Sequence, residues 1–283
     1  MHPATKPLAA LFALALISIS QAQPIPEPPL IYNCIHTPRP IKIDGKLDDP
    51  AWHMAPWTED FIDIEGRNKP KPRYRTRAKL VWDDQYLYIA AELEEPNLQA
   101  NLTQHDSVIF KDNDFEFFVK PPATVEGPAG QKMPAPGYFE FEINARNTSW
   151  DLYLNRPYNQ GGKADDSWNI PGLKTAVALK GTLNNAADKD QGWTVEIAIP
   201  WTAYTSRLPV AHPHAGSQWR FNFSRVEWLQ GHQQPGEHEA NWVWSPQGVI
   251  NMHVPEKWGY LNFTGKQALL VPIANPARRK QAS

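Results

Sequence analysis

Short runs of strictly alternating apolar and polar residues recur along the chain. Residues 77–82 set Ala78, Leu80 and Trp82 on one face, with Lys79 and Val81 on the other. After a turn at Asp83-Asp84-Gln85, residues 86–93 return with Leu87, Ile89, Ala91 and Leu93 on the inward face. Successive strand side chains point to opposite faces, so this spacing with a polar turn between predicts a β-hairpin. Residues 114–120 repeat the pattern, placing Phe115, Phe117 and Val119 opposite Glu116, Phe118 and Lys120. Residues 138–144 set Phe139, Phe141 and Ile143 against Tyr138, Glu140, Glu142 and Asn144, a polar face that must meet solvent or form a binding surface. Further strands are expected at 151–154, 173–183, 193–199, 219–227 and 258–263. Pro50, just after Asp48-Asp49, predicts one helical turn carrying Trp52, and residues 201–204 predict another after Pro200 ends its strand. With neither an internal repeat nor long helical periodicity, the fold class expected is all-β, an antiparallel two-sheet β-sandwich.

Composition supports this picture. The 283 residues are 41% hydrophobic and 20% charged, enough for a full core, and 28 Pro and 16 Gly punctuate short runs. A formal net charge of −2 without a basic stripe argues against nucleic acid as partner. Lys6, the apolar run 8–19 and Ser20-Gln21-Ala22 read as a signal peptide over 1–22, cleaved near Ala22. That run is short for a bilayer crossing, so no transmembrane span is expected, and the mature chain is expected in the periplasm or outside the cell. Residues 23–37 read as a Pro-rich linker, 38–265 as the sandwich and 266–283 as a C-terminal tail. Cys34 is the sole cysteine, which leaves stability to packing or bound ions.

The candidate chemistry lies in the polar faces and the last third of the chain. Residues 242–263 hold Trp242, Trp244 and Trp258 beside Asn251, Met252, His253, Glu256 and Lys257. Flat aromatic faces next to hydrogen-bonding groups suit a sugar ring, whose C–H face stacks while its hydroxyls pair; the same residues would also serve as sandwich core with one polar loop. Glu116 with Glu140 and Glu142 raises a glycosidase alternative, although two residues at i, i+2 share one strand face. Asp112, Asp114, Asp165 and Asp166 stand in oxygen-rich turns of the kind that bind calcium, or that simply turn the chain. Met252 and His253 raise a haem b alternative through sulfur and nitrogen ligation, but adjacent strand residues point opposite ways. No Gly-x-Ser-x-Gly elbow and no helical His pair with zinc spacing occurs.

Five segments in order resemble the carbohydrate-binding module family 9-like domain, within the wider DOMON-like group of sandwiches. They are Ile43-Asp-Gly-Lys-Leu-Asp-Asp-Pro-Ala-Trp52, Lys79-Leu-Val-Trp-Asp-Asp-Gln-Tyr-Leu-Tyr-Ile-Ala-Ala-Glu-Leu93, Phe110-Lys-Asp-Asn-Asp-Phe-Glu-Phe-Phe-Val119, Gly192-Trp-Thr-Val-Glu-Ile-Ala-Ile-Pro200 and Trp258-Gly-Tyr-Leu-Asn-Phe263. The resemblance implies a mono- or oligosaccharide ligand stacked between two Trp and held by Glu, Arg and Asn, with calcium pinning loops. By position, Phe110 falls on the first clamp Trp and Glu116 on the sugar-binding Glu. The second clamp falls on Met252, the family Arg near Glu142 and the Asn on Val249, so this chain departs from the pattern there. A tail like residues 244–259 is shared by a large branch of the family. The candidate site is therefore Phe110, Glu116, Glu142, Trp150, Trp242, Trp244, Met252 and His253, with the Glu140/Glu142 face. The function expected is non-catalytic carbohydrate binding, linked to polysaccharide or oligosaccharide use.

Overall fold

The computed structural model describes residues 27–265, so the expected signal peptide and C-terminal tail lie outside the described residues. Two layers of strands face each other. One layer runs β10 (Ala164–Asp165), β9 (Ser149–Leu154), β8 (Tyr138–Asn144), β5 (Asp114–Lys120) and β13 (Gln218–Glu227). The other runs β15 (Gly259–Thr264), β1 (Ile31–His36), β3 (Thr76–Trp82), β4 (Tyr86–Glu94), β12 (Gly192–Pro200) and β11 (Lys174–Lys180). The layers are continuous because β13 changes partner along its length. Its residues 218–221 pair with β15, whereas residues 224–227 pair with β14 (Ala240–Val243), which in turn pairs with β2 (Ile62–Asp63). The loop after β5 carries a small ribbon of β6 (Thr124–Glu126) and β7 (Lys132–Pro134).

The alternation read from sequence decides what is inside. Leu80, Leu87, Ile89, Phe115, Phe117, Phe139, Phe141, Val195, Ile197, Phe221 and Phe223 share one buried cluster between the layers. Each such side chain contributes about 1.5–3 kcal/mol through removal of apolar area from water. The expected β3–β4 hairpin forms in register, with Leu80 opposite Ile89 and Trp82 opposite Leu87. Both helical turns form, as α1 (Pro50–Met54) and α2 (Trp201–Thr205).

Residues 31–36, read as linker, are instead strand β1, with Cys34 fully buried. The Pro-rich run stops short of Ile31, and β1 then slots between β15 and β3, parallel to both. It is the exception to the antiparallel pairing expected throughout. A second buried group, Ile64, Phe118, Tyr138, Leu152, Leu154, Val243, Met252 and Trp258, lies on the outer face of the β5–β8–β9 layer. The loop between β14 and β15 folds over that face, and this cover is what makes a concavity there.

Candidate functional site

A cavity of about 370 Å³ lies between the outer face of β5, β8 and β9 and the loop 250–253. Strand register builds its floor. Glu116 on β5 is the direct cross-strand partner of Glu142 on β8, and Phe118 partners Glu140, so alternation aims all three glutamates the same way. Glu142 in turn faces Trp150 on β9. Phe110, on the single 3-10 turn before β5, brings its ring to 6.5 Å from that of Trp150, inclined by 30°. Tyr158 and Ile250, both substantially exposed, stand among the lining residues with Asn241, Asn251 and Glu239.

Phe110 is held from both sides. Its N–H donates to Glu142 Oε2 at 3.0 Å, and its carbonyl accepts from Trp228 Nε1 at 2.8 Å. The loop leading to it is tied to β9 through His105, whose Nδ1 lies 2.9 Å from the Ser149 carbonyl. His105 Nε2 sits 3.3 Å from both Asp106 Oδ1 and Asp151 Oδ1. Burial works against a charge on this ring, but Asn169, Asp106 and Asp151 together raise its affinity for a proton.

The floor is electrostatically costly. Glu116, Glu140 and Glu142 are 4%, 5% and 1% exposed, which leaves their carboxylates largely out of water. Burial pushes the Glu116 carboxyl up to about 7. It also raises Glu140 and Glu142 well above the carboxylate range, with Glu116 adding repulsion to each. Asp114, beneath them, is raised by the same two causes. Glu116 Oε2, Glu140 Oε2 and the Trp150 indole N–H have no hydrogen-bond partner within the protein. His253 lies 2.8 Å from the Tyr138 hydroxyl, and burial holds its ring down to about 4, so it is neutral near pH 7.

Six of the eight sugar-site candidates meet at this cavity: Phe110, Glu116, Glu142, Trp150, Met252 and His253. Trp242 and Trp244 do not. Both belong to the core between the layers, because Val243 is the residue of that strand aimed outward. Trp244 stacks on Phe221 at 4.6 Å and donates to Glu59, while Trp242 lies 5.2 Å from the buried Arg225 guanidinium. Met252 lines the cavity but turns its sulfur toward Gln247 Nε2, 3.0 Å away, so the ring beside Phe110 is Trp150. Val249 is exposed and not part of the lining. Sequence reading does not find Tyr158 and Glu239, since Tyr158 opens a single 3-10 turn and Glu239 lies in a loop, and neither has a periodicity that marks a direction.

The four metal candidates do not converge. Asp112 Oδ2 already accepts from the Asn101 N–H, the Leu102 N–H and Asn144 Nδ2 at 2.9, 2.9 and 3.0 Å. Asp165 pairs with Arg207 at 2.7 Å and caps Ser167. Calcium needs six to eight oxygens, and these engaged turn carboxylates do not fit that demand. Among the described residues, Asp114 instead groups with Glu116 and Glu142, whose ligand atoms lie within 4.8 Å of one another, and Asp166 joins no cluster.

Comparison with known proteins agrees with this architecture. A region of 166 residues, 58% of this chain, is 29% identical to the exoglucanase XynX of Acetivibrio thermocellus and spans 12% of that enzyme's length. A carbohydrate-binding module family 9 protein from Caldicellulosiruptor kristjanssonii, solved with cellotriose, superposes with a TM-score of 0.54 at 20% identity. That alignment covers 87% of this chain and 100% of the other. The structure solved with glucose gives 0.53 at 18% identity, over 86% of this chain and 99% of the other. At such identity the likeness shows the fold. The profile of the family described as Carbohydrate family 9 binding domain-like matches residues 43–266, and the chain belongs to that family.

Proposed function

We propose that this protein is an exported, non-catalytic carbohydrate-binding protein whose site is the cavity over β5, β8 and β9. The observation that carries the reading is the Phe110–Trp150 ring pair standing over a floor of hydrogen-bonding carboxylates. A sugar laid on those rings would bury its C–H face and present hydroxyls to Glu116, Glu140 and the free Trp150 N–H. Family membership and the sugars bound by the Caldicellulosiruptor protein support a saccharide ligand. The name of the Acetivibrio relative supports a setting of polysaccharide breakdown. Export rests on the reading of the first 22 residues.

Side-by-side carboxylates speak against the glycosidase alternative. Such enzymes set two carboxyl groups on either side of a scissile bond, roughly 5–9.5 Å apart. Glu116 and Glu142 are instead cross-strand neighbours on one sheet face, aimed from the same side and not across a cleft from each other. Haem ligation fits no better, because Met252 sulfur and His253 Nδ1 already face Gln247 and Tyr138.

Stacking on an aromatic face contributes about 1–3 kcal/mol by analogy with base stacking, consistent with micromolar or weaker affinity. Isothermal titration against a panel of mono- and oligosaccharides tests the reading. Binding that falls at least tenfold in Phe110→Ala is the expected result. Undiminished binding in that variant, or no saccharide bound at all, would reject it.

A further inference from the structure

We infer that the pocket is built for a positively charged ligand, an amino sugar whose free ammonium sits on Glu116, Glu140 and Glu142 while its ring lies against Phe110 and Trp150. The inference rests on the saccharide reading above and specifies the class of sugar.

Charge balance is the first argument. Glu116, Glu140, Glu142 and Glu239 all line the cavity, and no Lys or Arg does among the described residues. His253, the remaining lining base, is held neutral by burial. Asp114 adds a fourth buried carboxyl below the floor. Arg225 is committed elsewhere, paired with Glu95 at 2.9 Å and Glu227 at 2.7 Å. A neutral hydroxyl can satisfy an oxygen of this floor, but only a cation brings the charge that favours its carboxyls in the ionised form.

Unsatisfied valence is the second argument, independent of the first. Glu116 Oε2 and Glu140 Oε2 belong to side chains more than nine-tenths buried and have no donor in the protein. Buried acceptors are nearly always paired, so two orphans on one pocket floor mark where donors of a ligand belong. An ammonium brings three donors and a full charge to one point, and its hydrogen bonds to carboxylate are about twice as strong as neutral ones.

The walls then decide what carries that charge. A bare divalent ion fits the inner carboxylates, where Asp114 Oδ2 and Glu116 Oε2 have no partner, but Glu142 Oε2 is engaged by the Phe110 N–H and Asp114 Oδ1 by the Val226 N–H, which leaves few oxygens for it. It would also leave the Phe110 and Trp150 faces without a role, in a cavity of about 370 Å³ that suits an organic ligand. A ring with an apolar face and one ammonium uses both.

The test is calorimetry on the folded protein with fully deacetylated chito-oligosaccharides, their N-acetylated counterparts, neutral cello-oligosaccharides and calcium chloride alone. The charged series should bind at least tenfold tighter than either neutral series. Glu140→Gln, checked for folding by its thermal melt, should shrink that ratio at least threefold. Equal affinity for charged and neutral sugars would overturn the charge inference and leave saccharide binding standing. Calcium binding here that is required for neutral sugars would overturn it in favour of a metal-bridged site. Failure of every saccharide to bind would remove the reading on which it rests.

Discussion

Burial holds the Glu116 carboxyl at about 7, against 4.5 for the ordinary group. Between those values the folded chain keeps a proton that the unfolded chain has lost, so stability falls as pH rises through the window. Glu140, Glu142 and Asp114 are shifted in the same direction and extend the loss toward higher pH. His253 acts oppositely. Its ring is held down to about 4 from 6.5, so its contribution to stability is lost as pH falls through that range. Glu116→Gln removes a buried charge and keeps the shape. Its melting temperature should therefore exceed wild type by several degrees at pH 8 and by little at pH 5, as read by thermal melts at both. A lower melting temperature at pH 8 would mean that the carboxylate is compensated in a way the structure does not show. The residues of this floor were legible because period two puts Glu116, Glu140 and Glu142 on the faces opposite Phe115, Phe117, Phe139 and Phe141. The same rule applied to residues 242–244 would have turned Trp242 and Trp244 inward with the core. Their aromatic character pointed to a ligand, but their direction along the strand settles where they go.

At the scale of elements, the segment before α1 is anchored by one buried carboxylate. Glu196 of β12 accepts from the Asp44 and Gly45 N–H groups, both at 2.8 Å, and from Trp52 Nε1 at 2.7 Å. Gly45 holds φ +82°, and a Cβ there would sit 2.7 Å from the Val177 carbonyl carbon. Turn, helix and strand are thereby fixed to one another. Glu196→Ala strands three donors and should cost roughly 2–4 kcal/mol in chemical denaturation, with the transition remaining cooperative. A loss under about 0.5 kcal/mol would show that water replaces the carboxylate freely. The hairpin of β3 and β4 was readable because both strands and their turn are contiguous and alternate cleanly. Strand β1 was not, because six residues after a Pro-rich run carry little local signal, and their partner β15 lies near the other end of the described chain. Likewise β2 and β14 are short and exist by pairing with each other and with the end of β13.

For the whole molecule, the sandwich does two separate things with its faces. The inner faces of both layers make one core, while the outer face of the β5–β8–β9 layer is polar in the middle and apolar where the loop 249–258 covers it. That division follows from sequence, and the resemblance across five segments pointed to the fold and to most of the residues that line the candidate cavity. The loops that close the cavity did not follow, because Tyr158, Glu239 and Ile250 owe their positions to chain paths without periodicity. His105 bears on the same point, since it ties the loop carrying Phe110 to β9. His105→Ala should leave the sandwich folded yet weaken ligand binding several-fold by freeing that loop, which calorimetry with a melting control would read. Unchanged affinity would mean that Glu142 and Trp228 hold Phe110 without it. The most direct test of the central claim is crystallographic, with crystals soaked in a mixture of neutral and deacetylated oligosaccharides. A sugar ring resting on Phe110 and Trp150, with its polar edge toward Glu116 and Glu140, is the predicted result. Density for a sugar on another face, with this cavity filled by solvent alone, would contradict the account.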